Sequence, residues 1–309
     1  MAVKISPALL AALFAGYRGE FQKAFSEAAP QWSRVATLVP STTASNIYAW
    51  LGQFPTLREW IGPRVLKEMA SGDYTIVNKL FESTVGVPRT AVEDDQAGLF
   101  VPMFNEMGRA AAYHPDHLVF SLLSLGFGNK CYDGQNFFDT EHPVYPDVAR
   151  EGTPELVSNM DFPSTNEGPT WYLIDDTRAL KPIIFQERTK PELESKTNPA
   201  NSDHVFDHDE YVHGIRYRCA AGFGLWQLAY ASRQPLEPEF YGSARAAMQS
   251  FKADGGRPLK PNPATLVVPP QLEAQALRLV AKDENGGNPW AGTAKVLVCT
   301  DLVEWRPNP

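Results

Sequence analysis

The sequence predicts an α+β fold. Helical and strand-like segments follow one another without a regular βαβ alternation, which argues against a parallel α/β architecture. With 309 residues, of which 43% are hydrophobic, the chain can bury a sizeable core in one large domain or two smaller ones. Neither internal repeats nor low-complexity segments break this pattern.

The first 30 residues predict an amphipathic helix. Ser6 and Pro7 form a suitable N-cap and first-turn pair. The apolar residues that follow fall near one stripe of such a helix: Leu10, Leu13, Phe14, Tyr17, Phe21 and Phe25. A stripe of this kind packs into the core of its own chain more often than it binds a partner, and both interpretations stay open here.

Residues 55 to 88 predict a long β-hairpin. The segments "LREWIGPRVLKEM" and "YTIVNKLFESTVGV" have strand character, and "ASGD" between them supplies a turn. Pro63 restricts the first strand to an edge or a bulge. Because an isolated hairpin is marginally stable in water, this one is expected to lean on its own domain or on another subunit.

A helix is expected to begin at Thr90. Thr90 and Glu93 have the spacing of a capping box, and the acids at positions 93 to 95 would lie in the first turn, where the helix dipole favours negative charge. Capping explains these acids better than a catalytic or metal cluster does. Pro102 is expected to bend the helix, and a second helix is predicted from Asp116 to Leu125.

The remainder alternates strands with two helices. The predicted strands are "TWYLID", "KPIIFQE", "YVHGIRYRCAAGFGLWQLAYA" (one or two strands), "TLVVPP" and "KVLVCTDLVEW". The helices are expected at about Ser243–Ala253 and at Pro270–Ala281.

Composition excludes several classes of function. The formal charge of −8 is spread without a basic patch, which argues against dedicated nucleic-acid binding. Cys131, Cys219 and Cys299 lie far apart and lack a CxxC spacing, as expected of a reduced, intracellular protein. No segment approaches the roughly 20 apolar residues of a membrane-spanning helix. Phosphate-loop, dinucleotide, GxSxG and HExxH motifs are all missing from the sequence.

Two polar clusters remain as candidate sites. In "YDGQNFFDTEHPV" the polar residues are Asp133, Asp139, Glu141 and His142, and turn chemistry explains them better than catalysis or metal binding. In "DHVFDHDEYVH", residues 203–213, His204 and His208 have the i, i+4 spacing that would bring both rings together on a helix. That segment is predicted to be a loop leading into a strand, so a solvated acidic loop is preferred to a transition-metal site.

Several sequence blocks resemble one family in the same order. They are "LGQFPTLREW", "FESTVGVPRT" running into "EDDQAGL", "YDGQNFFDTEHPV", "LKPIIFQERTKPE" and "LVVPPQLEA". Together they resemble the major head subunit family of Mu-like phages and prophages over nearly the whole chain. Five such blocks in sequence are specific enough to exclude chance.

The resemblance implies a major capsid protein of the Hong Kong 97-type fold. Its parts would be an N-terminal arm (1–55), an extended hairpin loop (56–89), a peripheral domain with a spine helix (90–195), and an axial domain with the C-terminal strands (196–309). Such a protein assembles as hexamers and pentamers into the icosahedral shell that encloses phage DNA. The rival hypotheses are a cellular nanocompartment shell of the same fold and a metal-dependent hydrolase that uses the 133–142 or the 203–213 cluster.

The resemblance also implies sites and partners. We expect no catalytic, cofactor-binding or metal-binding residue. The expected assembly residues are the hairpin tip (Met69, Ala70, Ser71, Gly72 and Asp73), the spine-helix cap (Thr90 and Glu93) and the arm face (Leu10, Leu13, Phe14, Tyr17 and Phe21). The partners would be other copies of the chain, a scaffold protein, a head-maturation protease, a portal, a decoration protein and packaged double-stranded DNA bound without sequence specificity. No membrane is involved, and the protein would be found in the virion after assembly in the bacterial host cytoplasm.

Overall fold

The computed structural model describes residues 5–51, 74–94, 97–148, 150–165, 167–198, 202–281 and 287–302. Its helices are α1 (Pro7–Glu27), α2 (Arg89–Glu93), α3 (Val101–Leu125), α4 (Asp203–His208), α5 (Pro238–Gln249) and α6 (Glu273–Val280). Its strands are β1 (Ala36–Pro40), β2 (Ser45–Ile47), β3 (Thr75–Val77), β4 (Lys79–Pro88), β5 (His142–Val144), β6 (Glu155–Val157), β7 (Met160–Asp161), β8 (Trp171–Ile174), β9 (Ile183–Lys196), β10 (Glu210–Phe223), β11 (Ala229–Ser232), β12 (Thr265–Val268) and β13 (Lys295–Val298).

The first sheet has the strand order β1-β9-β10-β4, with β1 and β9 parallel and the other neighbours antiparallel. Successive side chains of a strand point to opposite faces, so one face of β10 carries its odd-numbered residues. On that face Tyr211, His213, Tyr217 and Cys219 are buried. Helices α1 and α3 pack against each other and, together with this face, form the core of this part of the molecule.

The second sheet has the strand order β13-β12-β8-β11-β7. Every residue of β8, β11 and β12 is buried, as expected for strands that are covered on both faces. Helices α5 and α6 lie against it, and the largest hydrophobic cluster joins this sheet to the first through residues such as Trp171, Phe185 and Trp226.

The predicted start of the N-terminal helix is confirmed. The Ser6 side chain accepts a hydrogen bond from the Leu9 amide at 3.2 Å, and Pro7 occupies the first turn. Helix α1 crosses α3 closely at Gly108, where a Cβ atom would collide with the carbonyl oxygen of Phe21. Glycine therefore permits this crossing.

The predicted capping box at Thr90 is wrong. Pro88 is the N-cap of the short helix α2, no side chain caps that helix, and Glu93 instead pairs with Arg89 at 3.2 Å. The Arg89 amide donates to the Asp209 carbonyl at the end of the β4–β10 ladder, so sheet pairing fixes where the helix begins.

The long helix α3 begins at Val101, eleven residues after Thr90. Pro102 lies in its first turn, where a proline is tolerated, so the expected bend at Pro102 is also wrong. The separate helix predicted from Asp116 is the second half of α3, which continues through Pro115 and ends at Gly126 as expected.

The 203–213 segment is not the predicted loop. Residues 203–208 form helix α4, because the Ser202 side chain accepts from the Val205 amide at 3.5 Å and caps the helix, and β10 begins at Glu210.

The second strand of the predicted hairpin is confirmed as β3 and β4, which pair with β2 and β10. The predicted first strand, 57–69, and the tip, 69–73, lie outside the described residues. The strands at 171, 183, 210, 265 and 295 are also found, whereas α5 begins at Pro238, five residues before its predicted start.

The domain division stays a prediction. Strand β9 runs one residue past the predicted 195/196 boundary and pairs with β10, which follows that boundary, in the first sheet. None of the helices in the described ranges is both long and apolar enough to cross a membrane.

Candidate assembly surfaces and the buried polar loop

The loop between α3 and β5 organises its polar side chains around Asp133. One carboxylate oxygen of Asp133 accepts from the Cys131 thiol at 3.1 Å and from the Gln135 amide at 3.0 Å. The other lies 2.7 Å from Nδ1 of His142. Gly134, next in the chain, has φ = 88°, which glycine adopts without strain. Asp133 thus closes an Asx turn and joins the loop to β5.

His142 is fully buried and stacks on Trp226, with the ring centroids 4.0 Å apart. Burial raises the pKa of the Asp133 carboxyl, but the interaction with His142 and the hydrogen bonds from Cys131 and Gln135 together outweigh burial, so the net effect lowers this pKa. Among the described residues, Nε2 of His142 has no hydrogen-bond partner. The Asp133–His142 pair is therefore a buried contact that joins the loop after α3 to β5 and, through the stacked ring, to Trp226.

The other acids of the motif do not join this pair. Asp139 accepts from the backbone amides of Asn136, Thr140 and Glu141, which is loop chemistry of the predicted kind. Glu141 is exposed.

Cys131, Asp133 and His142 carry the donor types that transition metals use, and their donor atoms lie within 4.8 Å of one another. A metal ion would nevertheless have to displace the hydrogen bonds that Asp133 already accepts from Cys131 and His142. Burial also raises the pKa of the Cys131 thiol, which disfavours the thiolate that would bind a metal or attack a substrate. The arrangement fits a structural loop better than a metal centre or a catalytic site.

The predicted arm face packs on its own chain. Tyr17 and Phe21 are buried, while the side chains of Leu10, Leu13 and Phe14 are half-buried. Tyr17 stacks on Phe104 with centroids 4.1 Å apart, and its hydroxyl donates to the Ala97 carbonyl at 2.8 Å. Tyr17 and Phe21 are therefore core residues of this chain. Leu10, Leu13 and Phe14 still expose part of their surface, which a neighbouring subunit could contact.

An exposed apolar surface lies at the base of the predicted hairpin. Ile47 on β2 and Val77 on β3 are 66% and 59% exposed, and their register places both on the same face of this two-stranded ribbon. A groove of about 500 Å³ separates β3 from α3, with Val77, Leu122 and Leu125 among its lining residues. We call Ile47, Val77 and Leu125 the hairpin-base surface.

Sequence reasoning missed this surface. Only Val77 carried a local signal, as an apolar residue in a predicted strand, and its pairing with residues 45–47 could not be inferred from the pattern. Large exposed apolar side chains grouped in this way are typical of protein contacts.

Comparison with known proteins gives a consistent result. A family model described as Mu-like prophage major head subunit gpT matches residues 10–302. The major capsid protein of Escherichia phage Mu is 45% identical over 279 residues, which are 90% of this chain and 91% of the Mu protein.

Solved capsid structures share the fold. A chain from the procapsid of bacteriophage JBD30 superimposes with a TM-score of 0.86 at 51% identity, covering 96% of this chain and 100% of that one. A chain from the JBD30 capsid decorated with minor capsid protein trimers gives a TM-score of 0.74 at 38% identity, covering 96% and 99%. The α+β capsid fold implied by the sequence blocks is therefore confirmed, and the chain belongs to the Mu-like prophage major head subunit family, with a Hong Kong 97-type fold.

Proposed function

We propose that this chain is the major capsid protein of a phage or prophage, which assembles with copies of itself, as hexamers and pentamers, into an icosahedral shell around the phage DNA. The observation that carries this proposal is the match, over 96% of the chain, to a subunit of an assembled procapsid. The protein would then be located in the capsid of the virion, after assembly in the bacterial host cytoplasm.

The continuous core of the described residues supports an assembly role. The two sheets share one continuous hydrophobic cluster, so the body can keep its shape at different positions in a shell. A shell is stable when many moderate interfaces, each of roughly 1,000 Å² or more, act together while single contacts remain reversible.

The hairpin-base surface is our candidate for contact with a neighbouring subunit. Ile47 and Val77 lie on β2 and β3, the strands that come just before and just after residues 52–73 in the chain, so the hairpin and this surface would form one continuous interface. The tip, Met69 to Asp73, is proposed to reach the neighbour, and α3 is proposed to be the spine of the peripheral domain. Thr90 and Glu93 would support the spine through α2, since they do not cap α3 itself.

Other partners follow from the same role. A scaffold protein and a head-maturation protease would act during assembly, a portal would occupy a special vertex, and a decoration protein would bind the outside. The similarity to a capsid decorated with minor capsid protein trimers supports the last of these. Packaged double-stranded DNA would be held without sequence specificity, in keeping with the net charge of −8.

A structural role is proposed in place of an enzymatic one. Burial raises the pKa values of Cys219 and Cys299 to about 12, so neither thiol is an activated nucleophile. The side chains of His142 and Asp133 are 0% and 7% exposed, so this hydrogen-bonded pair is largely closed to a substrate from solvent. Neither the hydrolase nor the nanocompartment hypothesis gains support from the relatives, which are phage head proteins.

Analytical ultracentrifugation of the full chain, expressed with and without the neighbouring scaffold gene product, tests the proposal. We expect capsomers or larger closed assemblies in at least one of the two conditions. A stable monomer or dimer under both conditions would refute it.

A further inference from the structure

Helix α4 holds two histidine rings together on the surface. His204 and His208 are one turn apart, and their rings stack with centroids 4.3 Å apart and planes 15° apart. Ser202 caps the helix, and Asp209 ends it with φ = 52° in the left-handed region. The helical geometry removes the reason for preferring a solvated loop at these residues.

One of the two rings has a defined tautomer. Nδ1 of His208 lies 3.2 Å from the carbonyl oxygen of His204. A carbonyl can only accept, so Nδ1 carries the proton, and the neutral ring then has its lone pair on Nε2. A backbone carbonyl bonded to Nδ1 is also the outer contact that commonly orients a metal-binding histidine.

A carboxylate lies beside the other ring. Oε2 of Glu210, the first residue of β10, is 3.7 Å from Nε2 of His204. The side chains of His204 and Glu210 are 48% and 42% exposed, so an ion from solvent can reach them, and rotation of these exposed side chains would have to bring the donor atoms to coordination distance. Asp203 and Asp207 flank the group and add negative potential that attracts cations, whereas the charge of Asp209 is paired with Arg89.

We propose that His204, His208 and Glu210 form a surface site for a divalent transition metal ion of the zinc, nickel or copper class. Imidazole nitrogens suit these metals, whereas Mg²⁺ and Ca²⁺ prefer all-oxygen sites. Three protein donors leave further coordination positions for water. The bound ion would join α4 to the start of β10 and would stabilise this end of the first sheet. This property is separate from the capsid function.

Isothermal titration calorimetry with Zn²⁺ and Ni²⁺ tests the site, using the full chain without a polyhistidine tag and after treatment with a chelator. We expect one binding site per chain. His204→Ala and His208→Ala should each weaken binding at least tenfold. His117→Ala is the matched control, because His117 is another exposed histidine beside an acid, Asp301, and its loss should change nothing. The proposal is overturned if no such site is found or if His117→Ala weakens binding as much.

Two further variants locate the ion. Glu210→Gln should weaken binding severalfold, and Cys131→Ser should leave it unchanged. If Cys131→Ser abolishes binding while His204→Ala does not, the metal occupies the buried loop and the proposed site is wrong.

Metal should also raise the melting temperature of the wild-type chain but not that of His204→Ala. Circular dichroism establishes that each variant is folded, and His204→Gln replaces His204→Ala if the alanine variant is not. An equal shift in melting temperature for wild type and variant would contradict the proposal.

Discussion

At the scale of single residues, His213 shows how the arm helix depends on a neutral side chain. It lies on β10, is 3% exposed, and meets Tyr17 of α1 and Phe104 of α3 edge-on, with centroids 5.5 and 5.2 Å away. Its Nδ1 has no hydrogen-bond partner within the described part of the chain, and burial lowers its pKa to about 4. Protonation would put an unpaired charge beneath α1.

We predict that this histidine makes the folded chain sensitive to acid. Its pKa is lower in the folded state than the ordinary 6.5, so the unfolded state binds the proton first, and stability falls as the pH drops from about 6.5 to about 4. The shift corresponds to about 3 kcal/mol at the acid end. Urea unfolding at several pH values should show that His213→Leu loses this part of the pH dependence.

The control for that measurement is His117→Leu, which replaces an exposed histidine and should keep the wild-type pH dependence. An unchanged slope in His213→Leu would show that His213 does not titrate in this range.

The Asp133–His142 pair predicts a second residue-level effect. Asp133→Asn should destabilise the chain by about 1–3 kcal/mol, because it replaces the carboxylate oxygen that is hydrogen-bonded to the fully buried His142. Asp301→Asn removes the partner of the exposed His117 and should cost less than about 1 kcal/mol. Chemical denaturation of both variants measures the difference, and equal losses would contradict the structural role of the buried pair.

At this scale the sequence predicted those features that depend on residues close together in the chain. The Ser6 cap and the turn at Asp133-Gly134 involve neighbours within a few residues, and both were predicted. The Asp133–His142 bond joins residues nine positions apart and was visible only as an unexplained cluster. His213 depends on α1, α3 and β10 meeting, which the sequence pattern does not reveal.

At the scale of elements, the crossing of α1 and α3 rests on Gly108. We predict that Gly108→Ala destabilises the chain by about 1–3 kcal/mol, because the added methyl group would collide with the backbone at Phe21 and force the helices apart. Thermal denaturation of the purified chain is the measurement.

Gly16→Ala is the matched control. Gly16 lies within α1 with open space around it, so alanine there should be neutral or should stabilise by up to about 1 kcal/mol. If Gly108→Ala is equally harmless, the helices are not in close contact at this position.

The hairpin provides a prediction about assembly. Deleting the tip, Met69 to Asp73, should leave the subunit folded, because the described sheets and cores do not include these residues, but should block shell formation. Circular dichroism checks folding, and electron microscopy checks for shells. Normal shells from the deletion variant would refute a role for the tip.

Element types were predicted better than element boundaries. The helix expected at Thr90 is divided because sheet pairing sets the start of α2 and Pro102 falls in the first turn of α3. Residues 203–208 were predicted as a loop because an Asn-Pro pair precedes them and a strand follows, yet a single N-cap at Ser202 is enough for one short helix.

At the scale of the whole molecule, strand order is the feature that local sequence cannot supply. Strand β1 pairs with β9 and β4 with β10, over separations of more than one hundred residues. The overall architecture was therefore predicted from the resemblance of five sequence blocks to a known family. The periodicity of apolar residues predicted only the individual helices and strands. The hairpin-base surface depends on the pairing of β2 with β3, and Val77 alone among its residues gave a local signal in the sequence.

The central claim is that this chain forms a phage shell by contacts between copies, and cryo-electron microscopy of particles assembled from the full chain tests it most directly. The account predicts closed shells of hexamers and pentamers in which a neighbouring subunit covers Ile47, Val77 and Leu125. Absence of shells when the scaffold partner is present would contradict the claim. Shells that leave these three side chains exposed would retain the function but reject the proposed interface.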